Sequence, residues 1–194
     1  MANLKHDIYR VNGRTSIGVF LTEFLRDSSF RSITTLRLYQ AIAKQRALRP
    51  FKVPIQVLHK VFNGIAGMEL PIKTSIGPAL KISHPFGLVV NGKARIGANV
   101  TLFHGVTIGQ ADSIAPDGTR RTGYPVIEDD VWIGPHAVVV GDITVGMGSR
   151  ILAGAVVNFD VPARSVVAGN PGAIIRTGCT PDVLHRAVLM EGRS

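Results

Sequence analysis

Residues 94–109 read ARIGANVTLFHGVTIG, and three apolar residues in this stretch, Ile96, Leu102 and Ile108, lie six positions apart. The same period continues on both sides. Its other members are Leu70, Ile76, Ile82, Leu88, Ile127, Ile133, Val139, Val145, Ile151 and Val157. A helix repeats every 3.6 residues and a strand every two, so neither explains a period of six. Six residues form one short strand and one turn, and three such sides close a triangular coil. The sequence therefore predicts a mainly β fold, a left-handed parallel β-helix, also called a hexapeptide solenoid.

The apolar series has two irregularities. The step from Leu88 to Ile96 is eight residues long, which we interpret as a two-residue slip at that point. Residues 110–125 are polar and carry no member of the series. A solenoid accommodates such a segment only as a loop extruded from a corner, and polar loops on a tight scaffold are more often functional. We therefore expect residues 110–125 to contribute to a site.

The segments on either side of the repeat have a different character. Apolar residues recur at three- and four-residue steps in the first third of the chain, which predicts helices. After Pro181 the apolar residues Val183, Leu184, Val188 and Leu189 suggest a short helix. We predict an N-terminal helical segment (residues 1–67), a β-helix domain (68–176) and a C-terminal tail (177–194).

Composition and charge exclude several classes of function. The chain has 194 residues and a single cysteine, Cys179, which rules out an internal disulfide framework and a cysteine-based zinc cluster. Its net charge of +9 is concentrated in residues 1–60, which hold 11 Lys and Arg against 3 Asp and Glu. No zinc finger, RNA-recognition signature or arginine-rich arm is present, so we do not expect nucleic-acid binding.

The basic first third leaves two interpretations open. It is either a solvated helix surface or a surface that meets anions, such as a phosphorylated cofactor, an acidic glycan or lipid head groups. No apolar run reaches the roughly 18 residues needed to span a bilayer. We expect a cytoplasmic protein, with peripheral contact to the inner membrane face as one option.

Two histidines occupy equivalent places in the repeat. His84 and His104 each come two residues after a member of the apolar series, and they are 20 residues apart. One coil plus the two-residue slip accounts for this separation, so the two imidazoles should stack on adjacent coils. Such a pair can supply a general base and a hydrogen-bonding partner. His136 shows no obvious register with them, and we assign it no catalytic role.

Three short stretches resemble a known family. They are SHPFGLVV at residues 83–90, VTIG at 106–109 and AGNPGA at 168–173. Together with the repeat, which covers about 107 of the 194 residues, they resemble the hexapeptide acyltransferases and, within these, the serine acetyltransferases. The resemblance implies acetyl-CoA as acyl donor, a homotrimer with sites between subunits, and a catalytic histidine at His84. It also implies that Glu69, 15 residues before His84, orients the imidazole.

The sequence departs from the family pattern near the acceptor. Ser83 stands where the family has an aspartate, and Tyr124 stands where a histidine ends the family's extruded loop. We take Ser83 and Tyr124 as substrate-binding candidates, and their replacement weakens the case for serine as acceptor. The N-terminal segment is also similar in size to that of the serine-acetyltransferase-like enzymes of surface-polysaccharide clusters, including the colanic-acid type.

The main functional prediction is an acetyl-CoA-dependent O-acetyltransferase acting on a sugar hydroxyl in polysaccharide biosynthesis. The principal alternative is serine O-acetyl transfer in cysteine biosynthesis, and in both cases the acceptor is a small molecule or a glycan. Two further hypotheses are a zinc enzyme of the carbonic anhydrase type, which would need His84, His104 and His136, and a non-catalytic solenoid that binds partner proteins.

Acetyl transfer assigns roles to particular residues. His84 acts as general base, Glu69 fixes its tautomer, and a backbone N–H or His104 stabilises the oxyanion. No metal is expected. Coenzyme A should lie along the solenoid where small residues let it approach the backbone, and Arg176, or else Arg120, Arg121 or Arg150, can meet its phosphates. The small residues proposed for cofactor binding are Gly109, Gly134, Ala153 and Gly169.

Overall fold

The computed structural model of the chain describes residues 2–43 and 45–188. A helical layer precedes the repeat. Its elements are α1 (Ala2–Asn12), α2 (Ile17–Arg26), α3 (Ser28–Ala43), a 3-10 helix (Arg46–Phe51) and α4 (Lys52–Ala66). Gly67 ends α4 in the left-handed conformation, and the first bridge of the solenoid follows at Glu69. None of the helices in the described ranges is long and apolar enough to cross a membrane.

Short strands then wind around three faces. Sheet 1 contains β1 (Ser75–Ile76), β4 (Arg95–Ile96), β9 (Val126–Ile127) and β12 (Thr144–Val145). Sheet 2 contains β2 (Lys81–Ser83), β5 (Thr101–Phe103), β10 (Trp132–Ile133), β13 (Arg150–Ile151), β15 (Val166–Ala168) and β16 (Ala173–Arg176). Sheet 3 contains β3 (Val89–Val90), β6 (Thr107–Gly109), β11 (Val138–Val140) and β14 (Val156–Val157). All pairings within these sheets are parallel except that of β15 with β16, and the arrangement is the predicted left-handed β-helix.

The six-residue period arises because each coil buries one apolar side chain per face. Ile96 stacks between Ile76 and Ile127, and Leu102 stacks between Ile82 and Ile133. These side chains form one continuous core. Glycine follows the buried residue where coils approach closely, as a Cβ on Gly97 would lie 2.8 Å from the backbone nitrogen of Asp129.

The structure corrects the position of the two-residue slip. Val90, not Leu88, pairs with Ile108, while Ile82 pairs with Leu102. The long step therefore lies between Ile82 and Val90. It enlarges the corner between sheets 2 and 3, which is the corner that carries His84.

The extruded segment 110–125 forms a hairpin. It consists of β7 (Ala111–Ile114) and β8 (Arg120–Gly123), which pair antiparallel at the corner between sheets 3 and 1. Arg120 donates to the Asp112 carboxylate at 2.5 Å, and Thr122 donates to the same carboxylate at 2.7 Å. These bonds hold the pKa of Asp112 below its usual value and join the two strands of the hairpin.

The prediction of a short C-terminal helix is wrong for the part of the tail that the structure describes. Residues 177–188 contain no helix, and Leu189 lies outside the described residues. The tail instead packs along the corner between sheets 1 and 2. Ala187 makes two hydrogen bonds with the side chain of buried Asn99, and Arg186 forms an ion pair with buried Asp130.

Helix α1 is held to the solenoid by buried charges. Asp7 accepts from Arg37 of α3 at 2.7 Å and from the backbone N–H of Leu80 at 3.0 Å. Arg37 also donates to the carbonyls of Ile76 and Gly77. Burial raises the pKa of the Asp7 carboxyl, although Arg37 acts in the opposite direction. This pair fixes the helical layer against the first coil.

Candidate active site

Three histidines, not two, stack along the corner between sheets 2 and 3. The ring centroids of His84 and His104 are 6.2 Å apart, and those of His104 and His136 are 5.0 Å apart, both edge to face. The stacking predicted for His84 and His104 is therefore present. His136 is aligned with Gly105, one residue after His104, so it is not in strict register with His104 but shares its corner, and its backbone N–H donates to the carbonyl of His104 at 3.0 Å.

The corner that holds His84 protrudes from the column. Ser83 still pairs with Phe103, and the chain then continues through His84, Pro85 and Phe86 before Gly87 lies against Gly105. His84 has a φ of 55°, in the left-handed region, and its side chain is exposed. Gly105 donates to the carbonyl of Phe86 as His136 donates to that of His104, so His84 and Pro85 are the two extra residues of this corner.

The helical layer supports this protruding corner from below. Gly87 donates to the carbonyl of Gly67 at 2.7 Å, and the Phe86 ring lies directly over the Gly67 backbone. The junction between α4 and the solenoid therefore positions the loop that bears His84.

Glu69 lies close to this corner in the fold. Its backbone bridges to Val89, two residues after Gly87, and its N–H donates to the carbonyl of Leu88 at 2.8 Å. The Glu69 side chain is exposed on the outer face of sheet 3. Among the hydrogen bonds that the described residues make, none joins Glu69 to His84, so the orienting contact implied by the resemblance is not formed in this structure.

His104 is wedged between the other two imidazoles. It is half-buried, and its Nδ1 atom is buried without a hydrogen-bond partner in the structure as described. A buried ring nitrogen without a partner is least costly as an unprotonated acceptor, which puts the proton of the neutral ring on Nε2. His104 can then offer one N–H near His84.

The two substrate-binding candidates lie at different corners of one chain. Ser83 precedes His84 and lines a small cavity of about 80 Å³ with Phe103 and Trp132. Tyr124 lies at the base of the hairpin, between sheets 3 and 1, where Lys93 donates to its hydroxyl at 3.0 Å and lies over its ring. A full side of the solenoid therefore separates Tyr124 from Ser83.

The five residues predicted to bind the cofactor also lie at different places in the fold. Gly134, Ala153 and Gly169 lie along the corner of the histidine column, on the coils beyond His104. Gly134 is buried under the Trp132 ring, and this packing explains why the position needs a glycine. Gly109 is at the far end of sheet 3, and Arg176 pairs with Val166 across sheet 2. The structure thus brings three of the five candidates to the corner that carries His84.

The histidine column does not form a metal site. A zinc ion needs its nitrogen ligands at about 2.0–2.1 Å, all directed at one point. These rings instead meet edge to face in a line. In the part of the chain that the structure describes, no group of three or more His, Cys, Asp or Glu side chains could hold a metal ion.

Sequence reasoning missed His136 and its contact with Gly105. The imidazole of His136 lies directly on Gly105, where any Cβ would collide with it. The pairing of Val106 and Thr107 with Ala137 and Val138 sets this contact. The only available signal was the register across the hairpin, which the sequence alone does not give.

Comparison with known proteins agrees with this geometry. A family model described as bacterial transferase hexapeptide (six repeats) matches residues 124–158. Serine acetyltransferase of Bacillus subtilis is 37% identical over 148 residues, which are 76% of this chain and 64% of the relative. Serine acetyltransferase of Bacillus licheniformis is 35% identical over 162 residues, covering 84% of this chain and 69% of the relative. The chain belongs to the serine acetyltransferase family.

The similarity to this family extends to solved structures. The serine acetyltransferase of Brucella abortus in complex with coenzyme A has a TM-score of 0.71 and 33% identity, covering 92% of this chain and 69% of the other. The chain thus spans about two thirds of the length of these serine acetyltransferases. The relatives favour serine transfer, the alternative raised from the sequence, over the main prediction of polysaccharide acetylation, which they do not support.

Proposed function

We propose that the protein is an acetyl-CoA-dependent O-acetyltransferase, acting in the cytoplasm, with serine as acceptor and His84 as general base. The observation that carries this proposal is the protruding, exposed His84 beside the N–H that His104 can offer, in a member of the serine acetyltransferase family. Serine acetyltransferase relatives and the coenzyme A complex support the choice of acceptor and donor.

The reaction follows from the two imidazoles. His84 takes the proton of the acceptor hydroxyl while that oxygen attacks the thioester carbonyl carbon. The resulting oxyanion accepts a hydrogen bond from a backbone N–H or from Nε2 of His104. Collapse breaks the carbon–sulfur bond, and the departing thiolate receives the proton from His84. The acetyl ester and free coenzyme A are the products.

Glu69 is proposed as the positioning residue for His84. Its backbone pairs with Leu88, Val89 and Val90, the residues that follow the His84 corner, and its exposed carboxylate is therefore near that corner and free to turn toward it. Catalytic hydrogen bonds are often formed only when substrate is bound. We expect Glu69→Gln to lower kcat, with little change in KM for acetyl-CoA.

We further propose that the active unit is a homotrimer. Sheet 3 directs Val89, Val138, Val140 and Val156 outward, which is an unusually apolar surface for a sheet face in water. A site that uses both Ser83 and Tyr124 also needs two chains, because one chain holds them at different corners. The phosphates of coenzyme A are assigned to Arg176 or its neighbours, and Gly109, Gly134, Ala153 and Gly169 to the pantetheine arm.

A sugar hydroxyl is the second candidate acceptor. It is favoured by Ser83 and Tyr124, which replace the aspartate and histidine of the family pattern, and by the aromatic pair Phe103 and Trp132 beside Ser83, whose rings are 5.0 Å apart. Aromatic faces suit the apolar faces of sugar rings better than they suit serine.

The test measures thiol release from acetyl-CoA with L-serine and with a panel of sugars. His84→Ala should lower kcat by about 10²–10⁴-fold, whereas His136→Ala, in the same column, should retain most of the activity. Unchanged activity in His84→Ala would show that His84 is not the base. Faster turnover with a sugar than with serine would replace the proposed acceptor by the second candidate.

A further inference from the structure

The helical layer exposes an apolar surface that the proposed function does not use. On α2, Ile17, Leu21 and Leu25 follow one another at four-residue steps, and a second stripe runs along α4. We call these eight side chains the helical face: Ile17, Leu21, Leu25, Val53, Val57, Leu58, Val61 and Ile65. Each is between 43% and 76% exposed. This is a large amount of aliphatic surface for a layer of four α-helices and one 3-10 helix.

The two stripes belong to neighbouring helices. Phe24 of α2 and Phe62 of α4 contact each other edge to face, with ring centroids 6.0 Å apart, and both helices pack on α3. On α4 the buried residues are Ile55, His59 and Ala66. At 100° per residue, Val57 and Val61 lie on the opposite side of the helix from His59. The stripe on α4 is therefore directed away from the protein.

Basic residues predominate around the helical face, although α2 also carries Glu23. The sequence contains no Asp or Glu between Asp27 and Glu69, while the same stretch holds seven Lys and Arg, of which Arg37 is buried and paired with Asp7. Arg26 at the end of α2, Arg49 in the 3-10 helix and Lys60 in α4 are exposed beside the apolar side chains. A cationic rim around an aliphatic face matches a surface that is anionic outside and apolar beneath.

We propose that the helical face docks on an anionic lipid bilayer. Lys and Arg would meet the head groups while the aliphatic stripes enter the boundary of the acyl chains. A second copy of the chain packed face to face is a poorer occupant, because two such faces would bring cationic rims together; the trimer proposed above uses the outer face of sheet 3 instead. The helices of the described ranges do not cross a membrane, so the contact is peripheral. The proposal is independent of the acetyl acceptor and of His84.

The experiment is cosedimentation of the full-length protein with vesicles of phosphatidylcholine alone or mixed with phosphatidylglycerol. We expect binding to the mixed vesicles only, weakened by added salt because screening reduces the electrostatic contribution. Each Lys or Arg near an anionic surface contributes roughly fivefold in binding, so Lys60→Glu should lower the partition coefficient by at least about fivefold. Leu21→Asp should lower it by roughly tenfold or more.

Matched controls separate this outcome from misfolding. Ile114→Asp makes a similar change at an exposed residue of the hairpin, outside the helical layer, and should bind vesicles as the wild type does. Lys60→Glu leaves the apolar packing intact and should keep acetyl transfer. Equal binding to neutral vesicles, or unaltered binding by both Leu21→Asp and Lys60→Glu, would overturn the proposal. The proposal would also be overturned if the wild type did not bind vesicles and Leu21→Asp had a lower molecular mass in solution than the wild type. That result would identify the helical face as a self-association surface.

Discussion

Gly105 is constrained both by its left-handed backbone and by the ring of His136, and mutation can separate the free energies of the two constraints. Its φ is +65°, and an added Cβ would lie 2.6 Å from Cε1 of His136 and closer still to Nδ1. Alanine in the left-handed region costs roughly 1–2 kcal/mol. The ring of His136 must also leave its place and lose the edge-to-face contact with His104, which is worth about 0.5–1.5 kcal/mol. Gly105→Ala should therefore cost about 1.5–3.5 kcal/mol of unfolding free energy.

Gly154 provides the matched control. It stacks on His136 one coil further along the same corner, has a φ of +69°, and an added Cβ there would meet nothing within 4 Å. Gly154→Ala should carry only the backbone cost. The difference between the two variants, about 1 kcal/mol, corresponds to a difference in Tm of about 2–4 °C for a protein of this size.

The assay is thermal unfolding followed by circular dichroism at one protein concentration, because association also stabilises the folded state. Both glycine variants are compared in the wild-type and His136→Ala backgrounds, which makes a double-mutant cycle. The excess cost of Gly105→Ala should disappear when His136 is alanine. Equal Tm values for Gly105→Ala and Gly154→Ala, or an excess that persists without the imidazole, would refute the reasoning.

Two further predictions concern the helical layer. Burial lowers the pKa of His59 below its ordinary value near 6.5. Because the unfolded state then binds the proton more tightly, the free energy of unfolding should fall as pH drops below about 6.5. In urea titrations at pH 7 and 5.5, His59→Gln should make the free energy of unfolding depend less on pH. Arg37→Ala should lower the free energy of unfolding by about 3–5 kcal/mol, because Asp7 stays buried without its partner. The double variant Arg37→Met with Asp7→Leu should lose less free energy of unfolding in the same titration. Equal losses for the two proteins would show that the buried charge is not the cause.

The repeat could be predicted because it depends on a local rule. Every sixth residue is buried whatever lies elsewhere in the chain, so the period survives in the sequence. The slip was misplaced because Leu88 and Val90 are both buried, one at a corner and one in a strand. Either residue satisfies the apolar pattern, and only the pairing of Val90 with Ile108 decides between them.

Features that depend on contacts between distant segments could not be predicted. Because the hairpin lies between them, the separation of His104 and His136 is not a multiple of six. The six-residue period therefore does not predict that they share a corner, and only the strand pairing shows that they meet. The apolar spacing after Pro181 resembles a helix. The tail instead docks through its backbone, since Ala187 binds Asn99 and the carbonyl of Leu184 accepts from Arg10, while the side chains of Leu184 and Val188 are exposed.

The two-residue insertion gives two histidines of one corner different surroundings, which suit the different roles proposed for them. His104 is half-buried because it lies between the rings of His84 and His136. The extra residues leave His84 exposed at one end of the column, in contact with the ring of His104 alone, while Ser83 before it and Val89 after it remain paired. An exposed imidazole can exchange protons with a substrate, whereas a confined one is better suited to hold a fixed N–H. A change in corner length, and not a change in residue type, therefore gives the proposed base and the proposed hydrogen-bond donor their different surroundings.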